Sequence, residues 1–209
     1  MSIIFFVLVI LLVLSGFFSL ITWKMNIIAL IALFVIYIVA MYNSLIVKLN
    51  RVKNAWADID VQLKRRYDLI PNLINTVKGA ANFESSTLEK VIEARNSAMT
   101  AQTSGDKEAI SKTENELSGT LKSLFALSEN YPDLKATSNF NNLQNELTDT
   151  ENKIQSARRF YNNTVTDLNT GIQSFPVNIL AKMFNFKESE MFKLEESESA
   201  AKNPVEVKF

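Results

Sequence analysis

The first 42 residues carry a single charged side chain, Lys24. So much uninterrupted apolar surface has to be covered by lipid or by other protein, which constrains the fold more than any other feature of the chain. Residues 3–22, IIFFVLVILLVLSGFFSLIT, form an uncharged run long enough to cross a hydrocarbon core of about 30 Å. After WKMN a second run extends from Ile27 to about Val47, interrupted near its end by Tyr42, Asn43 and Ser44. One helix through both runs would be roughly twice the thickness of the core. Three arrangements follow. The runs can form a transmembrane hairpin, with Trp23, Lys24 and Asn26 at the far interface. Ile27 to Val47 can be a single span, with the first run placed elsewhere. Or the first run can be a signal peptide, although it lacks a basic leader and an A-x-A site. Ser15 and Ser19 have a spacing that lets helices approach closely, but ordinary membrane composition is the simpler explanation. Lys48, Arg51 and Lys53 follow the second run, with Lys64, Arg65 and Arg66 further on. By the positive-inside rule the polar part of the chain is therefore expected on the cytoplasmic side.

Nothing interrupts the helical pattern between the second run and the polar region. From Leu45 the apolar positions are Leu45, Leu49, Val52, Trp56, Ile59, Leu63, Tyr67, Ile70, Ile74 and Val77. The steps of three and four describe the buried face of one helix, with Gly79 as its stop. A second helix is read around FESSTLEKVIEARNSAMTAQ, with Leu88, Val91, Ile92, Arg95 and Ala98 on one face and Ser85 or Ser86 as its cap. TSGD, residues 103–106, is a turn signal. A third helix carries Ile110, Leu117, Leu121, Leu124 and Leu127. The fourth has the most regular stripe, from Phe140 through Leu147, Ile154, Tyr161 and Leu168 to Ile172, and ends near Ser174 because Pro176 follows. PVNILAKMF reads as one short extra helix. The expected fold is all-α: a transmembrane helix or helical hairpin continuing into an antiparallel four-helix bundle with long first and last helices. The expected divisions are a membrane segment at 1–47, the bundle at 48–174, a short terminal helix at 175–186 and an acidic, flexible tail at 187–209.

Pro71, in RRYDLIPNL, falls inside the first helix, yet the stripe resumes in phase with Ile74 and Val77. A kink is therefore expected rather than a helix end. Proline has no N–H for the carbonyl of Tyr67, so that carbonyl needs another donor.

Cysteine and histidine are both absent. That excludes thiolate nucleophiles, Ser-His-Asp triads and zinc or di-iron sites built on those residues. Lys+Arg and Asp+Glu are balanced at 22 each, so no overall field favours nucleic acid. The charge-dense stretches DIDVQLKRRYD and ELTDTENKIQSARRFYN suggest an inter-helix ion-pair network. Arg65, Arg66, Arg158 and Arg159 are its donors, and Asp58, Asp60, Asp149 and Glu151 its acceptors. The simpler reading is a solvated face with helical i,i+4 pairs. No catalytic, cofactor-binding or metal-binding residues are assigned. Trp56 lies on the core stripe and reads as packing. Phe175, Phe184, Phe186 and Phe192 form a looser aromatic group suited to packing, or to contact with membrane or partner.

Several of these segments resemble the LemA family. They are YNSLIVKLNRVKNAWADIDVQLKRRYDLIPNLINTVKG (42–79), EARNSAM (93–99), NYPDLKATSNFNNLQNELTDTENKIQSARRFYNNTV (130–165), FPVNILAKMFNFKESEMF (175–192) and the closing PVEVKF. The resemblance implies a bacterial inner-membrane protein with one N-terminal span and a cytoplasmic helical bundle, and it supplies no active site. Residues 3–22 depart from that pattern by adding a second apolar run. Some relatives are tied to magnetosome membranes, and family genes often neighbour a membrane zinc metalloprotease. Residues and resemblance together lead to three expectations. The first is a membrane-anchored, non-enzymatic helical scaffold that self-associates or docks membrane partners, with the bilayer and a second copy as its partners. The second is an adaptor for a membrane protease or envelope-stress system. The third is an enzyme using carboxylate chemistry.

Overall fold

The structure, a computed structural model, describes residues 23–79 and 84–193, together with residues 7, 10, 11, 13 and 14. Among the described residues all regular structure is helical. The elements are α1 (Trp23–Lys78), α2 (Ser85–Ser104), α3 (Lys107–Ser128), α4 (Pro132–Lys135), α5 (Ser138–Gln173) and α6 (Val177–Met183). The chain divides into two units, one of Met1–Val52 with Thr166–Ser189, the other of Lys53–Val165 with Glu190–Phe209. Most of the first apolar run lies outside the described residues, and with it the choice between hairpin and single span. The five residues of that run that are described are helical and exposed. Residues 194–209 of the expected tail also lie outside.

In the first unit, α1 displays Met25, Ile27, Ile28, Ile31, Phe34, Val35, Ile36 and Val39 at its surface. A core helix of a soluble protein would bury such residues, whereas a lipid-facing helix displays them. This helix is long and apolar enough to cross a membrane. Towards the end of α5 a glycine permits close packing. A Cβ on Gly171 would lie 2.8 Å from Lys48 Nζ and 3.6 Å from Leu45 Cδ2. Lys48 Nζ donates to the carbonyl of Asp167 at 3.0 Å, a cation near the negative end of a helix. Pro176 stands at the N-cap of α6, and Leu180 and Ala181 are the buried residues of that helix.

The second unit has a continuous apolar core. α1 contributes Ala55, Ile59, Leu63, Ile70, Leu73 and Val77, α2 Leu88, Val91, Ala94 and Ala98, α3 Ile110, Leu117, Leu121 and Leu124, and α5 Phe140, Leu147, Ile154, Tyr161 and Val165. The turn after α2 follows its sequence chemistry. Gly105 adopts φ +73°, which glycine accepts without strain, and Asp106 caps α3 by accepting from the amides of Glu108 and Ala109. The start of α2 differs from expectation. Neither Ser85 nor Ser86 caps it, because the helix already includes Ser85, and Glu84 occupies the N-cap position without a side-chain bond.

The structure also differs from the sequence reading at residues 187–193. They are not helical, but neither are they a free tail. In the first unit Asn169 exchanges two hydrogen bonds with the backbone of Ser189, both at 2.9 Å, and Gln173 donates to Glu188. In the second unit Asn162 makes the same two-way pairing with Phe192, at 2.8 and 2.9 Å. Phe192 itself is 2 % exposed. Composition hid this, because an acidic, polar stretch can be held through its backbone, and backbone hydrogen bonding leaves no trace in residue type.

Candidate functional site

The most unusual group in the second unit is a buried charge cluster in which α1, α3 and α5 meet. Arg66 on α1 and Glu114 on α3 are each fully buried. One nitrogen of the Arg66 guanidinium pairs with Glu114. The other donates to Glu151 of α5 at 2.5 Å and to the Ser118 hydroxyl at 2.8 Å. Ser118 in turn donates to the second oxygen of Glu151 at 3.0 Å. The Tyr67 hydroxyl donates to the remaining oxygen of Glu114. The arrangement uses the planar fork of arginine to hold two carboxylates on two different helices, which lysine would not reproduce. Burial lowers the pKa of the Arg66 guanidinium below its ordinary value, opposed by the charge of Glu151. Burial pushes the Tyr67 phenol up to about 12, with Arg66 acting in the opposite sense. Tyr67 therefore remains a proton donor at neutral pH.

One turn further along α1 is Pro71, exposed and inside an unbroken helix. The carbonyl that it leaves without an intrahelical partner is that of Tyr67, and Arg95 Nε of α2 donates to it at 2.9 Å. The donor comes from a facing helix rather than from α1 itself. Arg95 is half-buried on the core-facing side of α2, so the proline and the arginine together form a helix-to-helix link.

The residues singled out from sequence divide as follows. Arg66 meets Glu151, as described. Arg65 lies 4.0 Å from Asp149 and 3.8 Å from Glu146, half exposed, where an ion pair stabilises little. Lys153, hydrogen-bonded to Asp149 one turn away, holds that carboxyl below its usual range. Asp60 accepts from Gln102 at 3.4 Å, and burial raises its pKa despite that bond. Arg158 donates to Asn115 at 3.0 Å and lies over the Phe192 ring, 4.3 Å from its centroid. Asp58 and Arg159 are exposed and stand apart from the cluster. Trp56 is half-buried, edge-on to Tyr161 at 5.2 Å, with Lys107 Nζ 5.0 Å from its ring centroid.

Glu114, Ser118 and Tyr67 were missing from the sequence-based network. A signal for Glu114 exists. The α3 stripe steps from Ile110 to Leu117, and position 114 is the in-phase site between them. Within the cluster every carboxylate oxygen of Glu114 and Glu151 already accepts a hydrogen bond. Among the described residues no three acidic side chains come together as a cation site. A cleft of about 600 Å³ lined by Asn75, Thr76, Asn130 and Tyr131 is remote in sequence from Asp58, Asp60, Asp149 and Glu151, and none of those four lines it.

The sequence pattern of the LemA family matches residues 55–209. The chain belongs to the LemA family. It is 27 % identical over 168 residues to the protein LemA of Metamycoplasma hominis, covering 80 % of this chain and 76 % of that one. It is 21 % identical over 190 residues to the magnetosome protein MamQ of Magnetospirillum gryphiswaldense, covering 80 % and 70 %. It is 22 % identical over 182 residues to magnetosome protein MamQ 2 of Paramagnetospirillum magneticum, covering 76 % and 67 %. Both the Arg66 cluster and the Pro71–Arg95 link fall inside the LemA-matched region.

Proposed function

We propose that this LemA-family chain is a membrane-anchored, non-enzymatic helical scaffold that self-associates on the cytoplasmic side of a bacterial inner membrane. In this reading α1, α2, α3 and α5 form an antiparallel four-helix bundle. The observation that carries it is α1. One uninterrupted helix of 56 residues first displays a bare apolar surface and then contributes a fully buried stripe to a core. A helix shared in this way carries the chain from the bilayer into the bundle. The buried cluster supports rigidity rather than chemistry, because its charges are spent on one another. The likeness to proteins named for magnetosomes fits a role in organising a membrane compartment.

The anchoring and its side are tested together. Membranes containing the full chain are extracted with alkaline carbonate, and intact cells and inverted inner-membrane vesicles are treated with protease. The chain should stay with the membrane, and the bundle should be cut only in inverted vesicles. Release by carbonate rejects the anchor. Cleavage from the periplasmic side rejects the orientation.

A further inference from the structure

In the first unit, α6 and its flanks display large apolar side chains that the other described residues leave at least half exposed. Phe175 is 81 % exposed, Ile179 58 %, Met183 67 % and Phe184 50 %. Ile179 and Met183 are one helical turn apart and share a face. The helix is not loose, since Leu180 and Ala181 are buried on its other side.

Its place along α1 is fixed by aromatic contacts. The Phe184 and Phe186 rings meet the Tyr42 ring edge-on, with centroids 4.9 and 5.7 Å apart. Tyr42 is 18 residues after Lys24, about 27 Å along a helix and close to one hydrocarbon thickness. Lys24 and Tyr42 thus mark the two edges of the apolar segment, and tyrosine suits such an edge. Beyond Tyr42 the unit carries Lys48, Arg51, Lys182 and Lys187 against Asp167 and Glu188. This excess of cations favours anionic headgroups.

We propose that α6 is an interfacial membrane helix, with Phe175, Ile179 and Met183 set into the headgroup region of an anionic bilayer beside the end of the α1 span. The proposal rests on α1 being that span. The exposed face of α6 then lies in lipid beside α1, and Lys182 reaches back to the phosphates. The first unit would be held to the membrane at two places, the α1 span and the α6 face.

The absence of native cysteine makes the test direct. Full-length variants Ile179→Cys, Met183→Cys, Asp167→Cys and Ile36→Cys are each labelled with a polarity-sensitive fluorophore in vesicles of phosphatidylglycerol and phosphatidylethanolamine. They are then quenched with aqueous iodide, or with lipids carrying the quencher near the headgroup or deep in the acyl chain. The expected result is loss of emission at 179 and 183 to the shallow lipid quencher, at 36 to the deep one, and at 167 to iodide. Iodide quenching at 179 and 183 equal to that at 167, with 36 still lipid-quenched, overturns the proposal and leaves the anchor standing. Protection of 179 and 183 from every quencher also overturns it, because a second protein surface then covers the face. Iodide quenching at 36 removes the anchor and the proposal together.

Discussion

Replacing Arg66 by methionine removes the cation paired with Glu114 while keeping most of the side-chain volume. Three hydrogen-bonded partners are lost, on Glu114, Glu151 and Ser118. The consequences differ for the two acids. The Glu151 side chain is 22 % exposed and can recover water. Glu114 is fully buried and, among the described residues, keeps only the Tyr67 hydroxyl. Leaving such a charge uncompensated costs about 3–5 kcal/mol. For a unit of this size that corresponds to a fall in Tm of roughly 10–30 °C. The assay is thermal unfolding of the full chain in one mild detergent, followed by far-UV circular dichroism. The triple variant Arg66→Met, Tyr67→Phe, Glu114→Leu removes the stranded charge and the donor that would be orphaned with it. It should recover a large part of the loss, because apolar replacement of a whole buried ionic group is often close to neutral. A single variant within about 1 kcal/mol of the parent, the ordinary size of an exposed pair, would refute the reasoning. So would a triple variant no more stable than the single one.

Other consequences are as accessible. Arg95→Met leaves the Tyr67 carbonyl without a donor, at a cost of about 1–3 kcal/mol. In a Pro71→Ala background the restored amide at position 71 supplies the missing bond, so the same change should cost much less; equal costs in both backgrounds reject the link. Asn162→Ala should speed hydrogen exchange at the Phe192 amide without changing exchange in α1, and an unchanged rate means that the asparagine is not what holds residues 190–193. The Tyr67 phenol ionises at about 12 in the fold against 10.0 outside it. The stability tied to its neutral form is fully present below pH 10 and is lost as pH rises through about 12, so urea titrations over that window should show a loss that Tyr67→Phe lacks. Burial raises the Asp60 pKa, which penalises its charged form at neutral pH, and Asp60→Asn should therefore raise stability at pH 7 and give no such gain below its unfolded pKa.

The helices were legible because their buried faces repeat. On α5, Phe140, Leu147, Ile154, Tyr161 and Leu168 lie seven apart and are all buried, and spacing alone identifies such a face. On α1 the apolar stripe takes two successive steps of four, from Ile59 to Leu63 and on to Tyr67, and so passes over Arg66. Ile59, Leu63, Arg66, Ile70, Leu73 and Val77 step by three or four throughout, so Arg66 occupies a core position and its neighbour Arg65 does not. A periodicity read from apolar residues alone drops the buried charge by construction. It drops Glu114 for the same reason. The acceptor left by Pro71 was legible, but its donor was not. Arg95 reaches Tyr67 across 28 positions of sequence, and no local pattern encodes which residue on a facing helix will arrive. The fixing of residues 187–193 was hidden for a related reason, since Asn162 and Asn169 grip backbone and would grip almost any sequence placed there.

Self-association is the part of the scaffold reading that one measurement settles most directly. The full chain is purified in mild detergent and its protein mass is measured by native mass spectrometry, alongside a chain lacking residues 1–47. The account predicts a defined multiple of 23.6 kDa for the full chain, lost or reduced when the membrane segment is removed. A monodisperse monomer with and without that segment would contradict it.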